Sequence, residues 1–151
     1  MPLLSPSLED YLEEIYRLSI DQRVVRASDV ATKLKVTMPS VNNALRRLGQ
    51  DAYVIYVKYR DIVLTDKGVR LGQYLVDRNL ILQKFFSTIN PHSDAPAEAE
   101  AMEHYLSYSS IRAIEDLLDY WQTYPGALER FRNHAYNRQE KNLGVLDGYR
   151  E

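Results

Sequence analysis

Glu100, Glu103 and His104 recur at i, i+3 and i+4, a spacing that puts two carboxylates and an imidazole on one face of an α-helix. Asp10 and Glu13, three positions apart near the start of the chain, share a face in the same way. Four carboxylates and one imidazole form a hard-to-borderline donor set, suited to Mn²⁺ or Fe²⁺ rather than to a thiolate-preferring metal. The chain has no cysteine, so thiolate ligands and disulfides are both excluded. The same spacing also fits a solvated acidic face, and spacing alone does not choose between the two. His92, in a helix-breaking turn, and His134, on the last helical segment, read as surface residues rather than ligands.

A second set of residues has the chemistry of duplex recognition. Thr37 can cap a short helix whose Val41, Ala44, Leu45 and Leu48 turn inward, with Pro39 tolerated in the first turn and Gly49 as the expected stop. Ser40, Asn42, Asn43, Arg46 and Arg47 are left facing outward. Asn and Arg side chains can bond base edges in the major groove, and all five can hold phosphate. Two β-branched and aromatic runs follow, Tyr53–Val57 and Ile62–Leu64, joined by a turn that places Lys58 and Arg60 at its tip. A helix followed at once by a basic hairpin is the arrangement of a winged helix-turn-helix.

The remaining elements must position these two sets. Leu8, Tyr11, Leu12, Ile15 and Leu18 predict a first helix opened by Ser7, and Ser28 opens a second with Val30, Ala31 and Leu34 on its apolar face. The second and third helices are joined by Lys35-Val36. Thr65-Asp66 starts a long helix, roughly 66–88, expected to bury Val69, Tyr74, Leu75, Leu82 and Phe85/Phe86. Asn90-Pro91 breaks it. Helices at about 94–107 and 110–122 follow, then an amphipathic segment from Ala127 to about Lys141 and a frayed tail, Gly144–Glu151. The fold class is therefore mostly α: an N-terminal winged helix-turn-helix (1–71) followed by an all-helical domain (72–151).

A formal net charge of −2 conceals an asymmetry. Residues 26–60 carry seven basic side chains against two acidic ones, Asp29 and Asp51, a modest positive footprint for phosphate contact. No apolar run approaches the roughly 18 residues of a membrane span, and Met1-Pro-Leu-Leu-Ser lacks the regions of a signal peptide. A cytoplasmic protein without a membrane partner is expected.

Four segments carry a resemblance to a known family: Ser5-Pro-Ser-Leu-Glu-Asp-Tyr-Leu-Glu-Glu-Ile-Tyr16, Ala52-Tyr-Val-Ile-Tyr-Val-Lys-Tyr-Arg60, Val63-Leu-Thr-Asp-Lys-Gly68 and Glu103-His-Tyr-Leu-Ser107. The chain resembles the diphtheria toxin repressor family, on its manganese transport regulator branch, over nearly its whole length. The resemblance implies a homodimeric repressor whose winged helix binds a double-stranded DNA operator when Mn²⁺ or Fe²⁺ occupies a site between that domain and a helical dimerisation domain. It places the metal ligands on Asp10, Glu13, Asn79, Glu100, Glu103 and His104. Iron-responsive relatives carry methionine at the position of Asp10 and cysteine at that of Glu100. The chain departs from the pattern at one ligand: Asn79, in Leu75-Val-Asp-Arg-Asn79, stands where the family has histidine. A carboxamide oxygen is a poorer donor to these ions than an imidazole nitrogen.

Three functional expectations follow: metal-dependent repression with altered affinity or selectivity, a degenerate relative that binds DNA without metal, and an interaction module that binds no DNA. The dimer surface is expected within 66–122, where Tyr105, Tyr108, Tyr120 and Trp121 could serve core or interface. Neither catalysis nor a small-molecule substrate is expected. Glu100-x-x-Glu103-His104 is superficially like an inverted zinc-peptidase motif, but that chemistry needs His at its first position.

Overall fold

The computed structural model describes residues 4–22, 24–57 and 60–142. Helix α1 (Pro6–Asp21) begins one residue before the expected Ser7 cap. Pro6 occupies the first helical position, and the Ser5 carbonyl accepts from the amides of Leu8 and Glu9. The shift puts Glu9 in the first turn, where the helix dipole favours a carboxylate. Helix α2 (Ala27–Leu34) is opened by Asp29, whose carboxylate accepts from the Arg26 amide at 2.9 Å, and Ser28 lies inside the helix. Lys35 takes a left-handed conformation (φ 54°) and turns the chain into α3 (Met38–Gln50). Thr37 caps α3 as expected, its hydroxyl accepting from the Ser40 amide.

Helix α3 runs one residue past Gly49, and Ala52 (φ 58°) supplies the left-handed turn instead, with the Tyr53 amide bonded to the Leu48 carbonyl. The wing is shorter than the two apolar runs suggest. Strands β1 (Val54–Ile55) and β2 (Val63–Leu64) pair antiparallel, Val54 opposite Leu64, and an isolated bridge joins Ile62 to Val25. Leu8, Leu12, Ile15, Val30, Val41, Leu45, Leu48, Val54, Ile62 and Leu75 form one buried cluster around these elements.

Helix α4 (Asp66–Ile89) follows. Its start is fastened to the wing: the Thr65 hydroxyl donates to the Ala52 carbonyl at 2.7 Å and accepts from the Gly68 amide. Val69, expected to be buried, is 41% exposed. The inward face runs instead through Gly68, Gly72, Leu75, Arg78, Asn79 and Leu82. The two glycines allow close approach, because a Cβ on Gly68 would lie 2.0 Å from the Tyr53 carbonyl oxygen and one on Gly72 2.6 Å from Tyr16 Cβ. The expected helix at 94–107 divides into α5 (Ala95–Met102) and a 3-10 turn, Glu103–Tyr105. Helices α6 (Tyr108–Thr123), capped by Ser107, and α7 (Pro125–Asn142) complete the described residues.

The chain forms two compact units that divide within α4. The first runs to Leu80 and takes in Glu100–Tyr105, and the second holds Ile81–Ala99 and continues from Leu106. Leu82, Phe86, Ala95, Ala99 and Ile111 make the core of the second, where Trp121 is also buried, its ring 5.3 Å from that of Phe131. Tyr105, Tyr108 and Tyr120 are exposed. The tail Gly144–Glu151 lies outside the described residues.

Gly68→Ala should lower stability by about 1–3 kcal/mol, despite alanine's better helix propensity, because backbone atoms cannot yield to the added methyl as a side chain would. Urea unfolding of the variant measures this, and a midpoint equal to wild type would contradict the contact.

Candidate metal centre and duplex-reading surface

Helix α1 buries its apolar stripe, yet Glu9 and Glu13 on the same helix are only 6% and 8% exposed. From α4, Arg78 and Asn79 are as deeply buried, and the 3-10 turn contributes Glu103 at 2%. Buried charges persist only where partners offset their lost hydration. Here the partners are one another. Arg78 Nη2 lies 2.9 Å from Glu9 Oε2, and the Asn79 amide donates to Glu103 Oε2 at 2.9 Å. His104 Nδ1 is 2.8 Å from the same Glu9 oxygen, across 95 positions of sequence. His104 Nε2 lies 3.1 Å from Asp10 Oδ1 and 3.8 Å from Glu103 Oε1.

The donor logic of this cluster is informative. An ionised carboxylate only accepts, so the Glu9 contact is a hydrogen bond in the tautomer that carries its proton on His104 Nδ1, a nitrogen that Arg78 Nη2 also approaches at 3.4 Å. That leaves Nε2 facing Asp10 Oδ1, two acceptors unless a cation, proton or metal, lies between them. Asp10, Glu103 and His104 each offer one ligand atom, and these atoms all fall within 4.8 Å of one another. Burial raises the Asp10 carboxyl above its usual range. The neighbouring Glu100, Glu13 and Glu9 carboxylates add to this, while His104 opposes it. Burial raises Glu103 as well, with Glu13 adding and the Asn79 bond, Arg78 and His104 opposing. Acids that resist ionisation, set beside an oriented imidazole, fit a divalent cation.

Of the six expected ligands, three converge: Asp10, Glu103 and His104. Glu13, Asn79 and Glu100 stand around them, lining with Asp10 and Glu103 a cleft of about 160 Å³. Glu13 is engaged by Arg17 at 2.6 Å. The single helical face expected for Glu100, Glu103 and His104 is not formed, because α5 ends at Met102; Glu100 lies on α5 and is exposed, while the other two sit on the tighter turn. Sequence reasoning missed Glu9 and Arg78. The signal for Arg78 was available, since it lies three residues after buried Leu75 and four before buried Leu82. Glu9 carried none beyond its place beside Asp10. His92 and His134 are exposed, as expected.

The recognition-type surface is built on α3. Val41, Ala44, Leu45 and Leu48 are buried, Ser40, Asn43, Arg46 and Arg47 are exposed, and Asn42 is half-buried. The Tyr56 hydroxyl donates to Asn42 Oδ1 at 2.7 Å, and the Arg46 guanidinium donates to Asn43 Oδ1. Arg60 is exposed near the wing tip, while Lys58 lies outside the described residues.

Metal-free protein should lose stability as pH rises above the ordinary carboxylate range. Folded Asp10 and Glu103 hold protons there that the unfolded chain has released, so unfolding becomes more favourable until both have ionised in the fold. Urea midpoints across that window should fall with pH in wild type and fall less in Glu103→Gln. Equal slopes in the two proteins would remove Glu103 as a source.

Two family models match the chain in succession. Residues 3–62 match the iron dependent repressor N-terminal DNA binding domain, and residues 65–132 match the iron dependent repressor metal binding and dimerisation domain. The HTH-type transcriptional regulator MntR of Listeria monocytogenes serotype 4b (strain CLIP80459) is 37% identical over 137 residues, 90% of this chain and 96% of the relative. The regulator of the same name from Geobacillus thermodenitrificans (strain NG80-2) is 39% identical over 130 residues, 85% and 92% of the two chains. Among solved structures, the manganese regulator SloR superposes with a TM-score of 0.67 at 27% identity, covering 78% of this chain, and ScaR with bound Zn²⁺ with 0.63 at 26%, covering 75%. The chain spans 55% and 54% of the length of those two proteins. With a DNA-binding model and a metal-binding and dimerisation model matched in succession over most of its length, the chain belongs to the iron dependent repressor family.

Proposed function

We propose that this protein is a metal-dependent DNA-binding transcriptional regulator, a cytoplasmic homodimeric repressor that senses Mn²⁺ or Fe²⁺. The observation that carries this reading is the convergence of Asp10, Glu103 and His104 in the compact unit that also contains α3. Asp10, Glu103 and His104 would hold the ion, with Glu13, Asn79 and Glu100 around it. When bound, the ion supplies the positive charge that lets these carboxylates ionise together. Glu9 holds the His104 ring through Nδ1, and Arg78 holds Glu9, so the ligand nitrogen is presented in one orientation. Asn79 fixes the Glu103 carboxylate by donating to one of its oxygens.

The regulatory step is a population shift. Asp10 belongs to α1, which packs directly on α2 and α3, whereas Glu103 and His104 come from the 3-10 turn. Ligands drawn from both favour the conformations in which α1 and that turn are together, by the difference in affinity between joined and separated states. Residues 1–71 would read the operator through Ser40, Asn42, Asn43, Arg46, Arg47, Lys58 and Arg60. Residues 72–151 would pair two copies so that both heads meet one duplex, with half-sites about one helical turn apart. Exposed Tyr108, Leu117 and Tyr120 of α6 suit such a pairing surface. No helix among the described residues is long and apolar enough to cross a membrane.

One observation favours a second reading. Arg78 and His104 already bridge the buried acids through hydrogen bonds and ion pairs, and an asparagine stands where the family has histidine. A protein whose site is closed by its own Arg78 guanidinium and His104 contacts would bind DNA without metal.

Gel shifts of genomic fragments, titrated with Mn²⁺ and then with chelator, separate the two. Binding should rise with Mn²⁺ and vanish on chelation, while affinity indifferent to both would favour the metal-free reading. Glu103→Ala should weaken metal binding by more than about a hundredfold, exceeding the loss typical of an outer partner, and should leave unfolding cooperative. Asn79→His should tighten Mn²⁺ binding, measured by calorimetry; unchanged affinity would place residue 79 outside the site.

A further inference from the structure

The hydrogen bond between Asn42 and Tyr56 determines which face of the asparagine is available. A free asparagine offers a donor and an acceptor side by side, the pattern that matches N7 and N6 of adenine. Here the Tyr56 hydroxyl donates to Asn42 Oδ1 at 2.7 Å, across 14 positions of sequence, so the carbonyl turns toward the root of the wing and the amide nitrogen turns away from it. The Tyr56 ring is itself held, half-buried against the core of the winged helix. Both residues line two neighbouring hollows on this surface, one extending toward Ile55 and Thr65 and the other toward Arg26 and Arg60. Asn43 is constrained in the same sense, since Arg46 donates to its Oδ1. With Arg47 beside them, the outward side of α3 presents N–H donors.

We infer that Tyr56 is a positioning residue for sequence specificity: it holds Asn42 as a donor, so that α3 selects guanine over adenine at the base pair Asn42 meets. Guanine shows two acceptors in the major groove, N7 and O6, whereas adenine shows an acceptor beside a donor. With its oxygen held at the wing, Asn42 offers a base its amide N–H edge, which both guanine acceptors satisfy but which adenine satisfies at N7 alone, its N6 amine opposing a second N–H. This inference rests on the proposed reading of α3 as the duplex-reading helix.

Selection from a pool of random duplexes, with Mn²⁺ present, tests it on the full-length protein. Wild type should enrich a site with guanine at one position per half-site. Tyr56→Phe keeps the ring but releases the amide, so adenine should be admitted at that position alone, with guanine discrimination falling roughly tenfold. Asn42→Asp still accepts from the hydroxyl but has no amide donor, and should lose the guanine preference at the same position even if Tyr56→Phe fails to fold. The inference is overturned if Tyr56→Phe selects the wild-type base in the wild-type ratio. Relaxation spread evenly over all positions also overturns it, since that marks a merely structural role. A wild-type protein that binds duplexes but whose selected site is untouched by Asn42→Asp refutes the assignment of Asn42 while sparing the DNA-binding reading. Enrichment of no duplex at all would remove α3 as the reader, and the inference with it.

Discussion

Burying several acids in one place is costly, and much of this protein's first compact unit is arranged around that cost. Glu9, Glu13 and Glu103 are all nearly inaccessible, with Asp10 half-covered beside them. In a medium that screens charge poorly, such a group either takes up protons or recruits cations. The chain does both. Arg78 is buried facing Glu9, Glu103 and His104, and its Nε finds no hydrogen-bond partner among the described residues. His104 stands between Glu9 and Asp10. The raised Asp10 and Glu103 carboxyls mark a cluster whose burial and mutual repulsion its own partners do not fully offset.

The network also explains why the break between α5 and the 3-10 turn matters. Three residues per turn in place of 3.6 rotates successive side chains differently, so Glu103 points into the unit while Glu100 remains at its surface. Continuing the α-helix would have kept Glu100, Glu103 and His104 in one row. The break instead separates the roles, with two residues inside the cluster and one on the rim of the adjoining cleft.

At the other end of the unit, hydrogen bonds rather than ion pairs set precision. Thr65 bonds the carbonyls of Ala52 and Tyr53, Gly68 allows α4 to approach that backbone, and Lys67 reaches the Asp51 carbonyl while lying over the Tyr53 ring. The root of the wing is thereby fixed to the end of α3, and Tyr56 is placed where its hydroxyl meets Asn42. Local turn geometry at one end of a helix thus reaches the hydrogen-bonding pattern on its exposed face.

Elements with strong periodic signals were legible in the residues alone. The stripe Leu8–Leu18, the Thr37 cap, the inward set Val41–Leu48 and the length of α4 all follow from spacing and capping chemistry, which act within a few residues. The family, and with it Asp10, Glu103 and His104 as ligand candidates, was legible from short motifs. Three things were not. Val69 looked apolar enough to be buried, but two glycines decided which face of α4 could come close. α5 ends at Met102, just before the buried Glu103, and no local pattern marks that position. The pairing of Glu9 with both His104 and Arg78 joins three distant segments. Residue type and spacing by themselves determined which groups could bind a cation or a duplex. Only the tertiary structure decided which of them meet, because contact across 95 positions is set by packing of the intervening elements and not by any preference of the residues for one another.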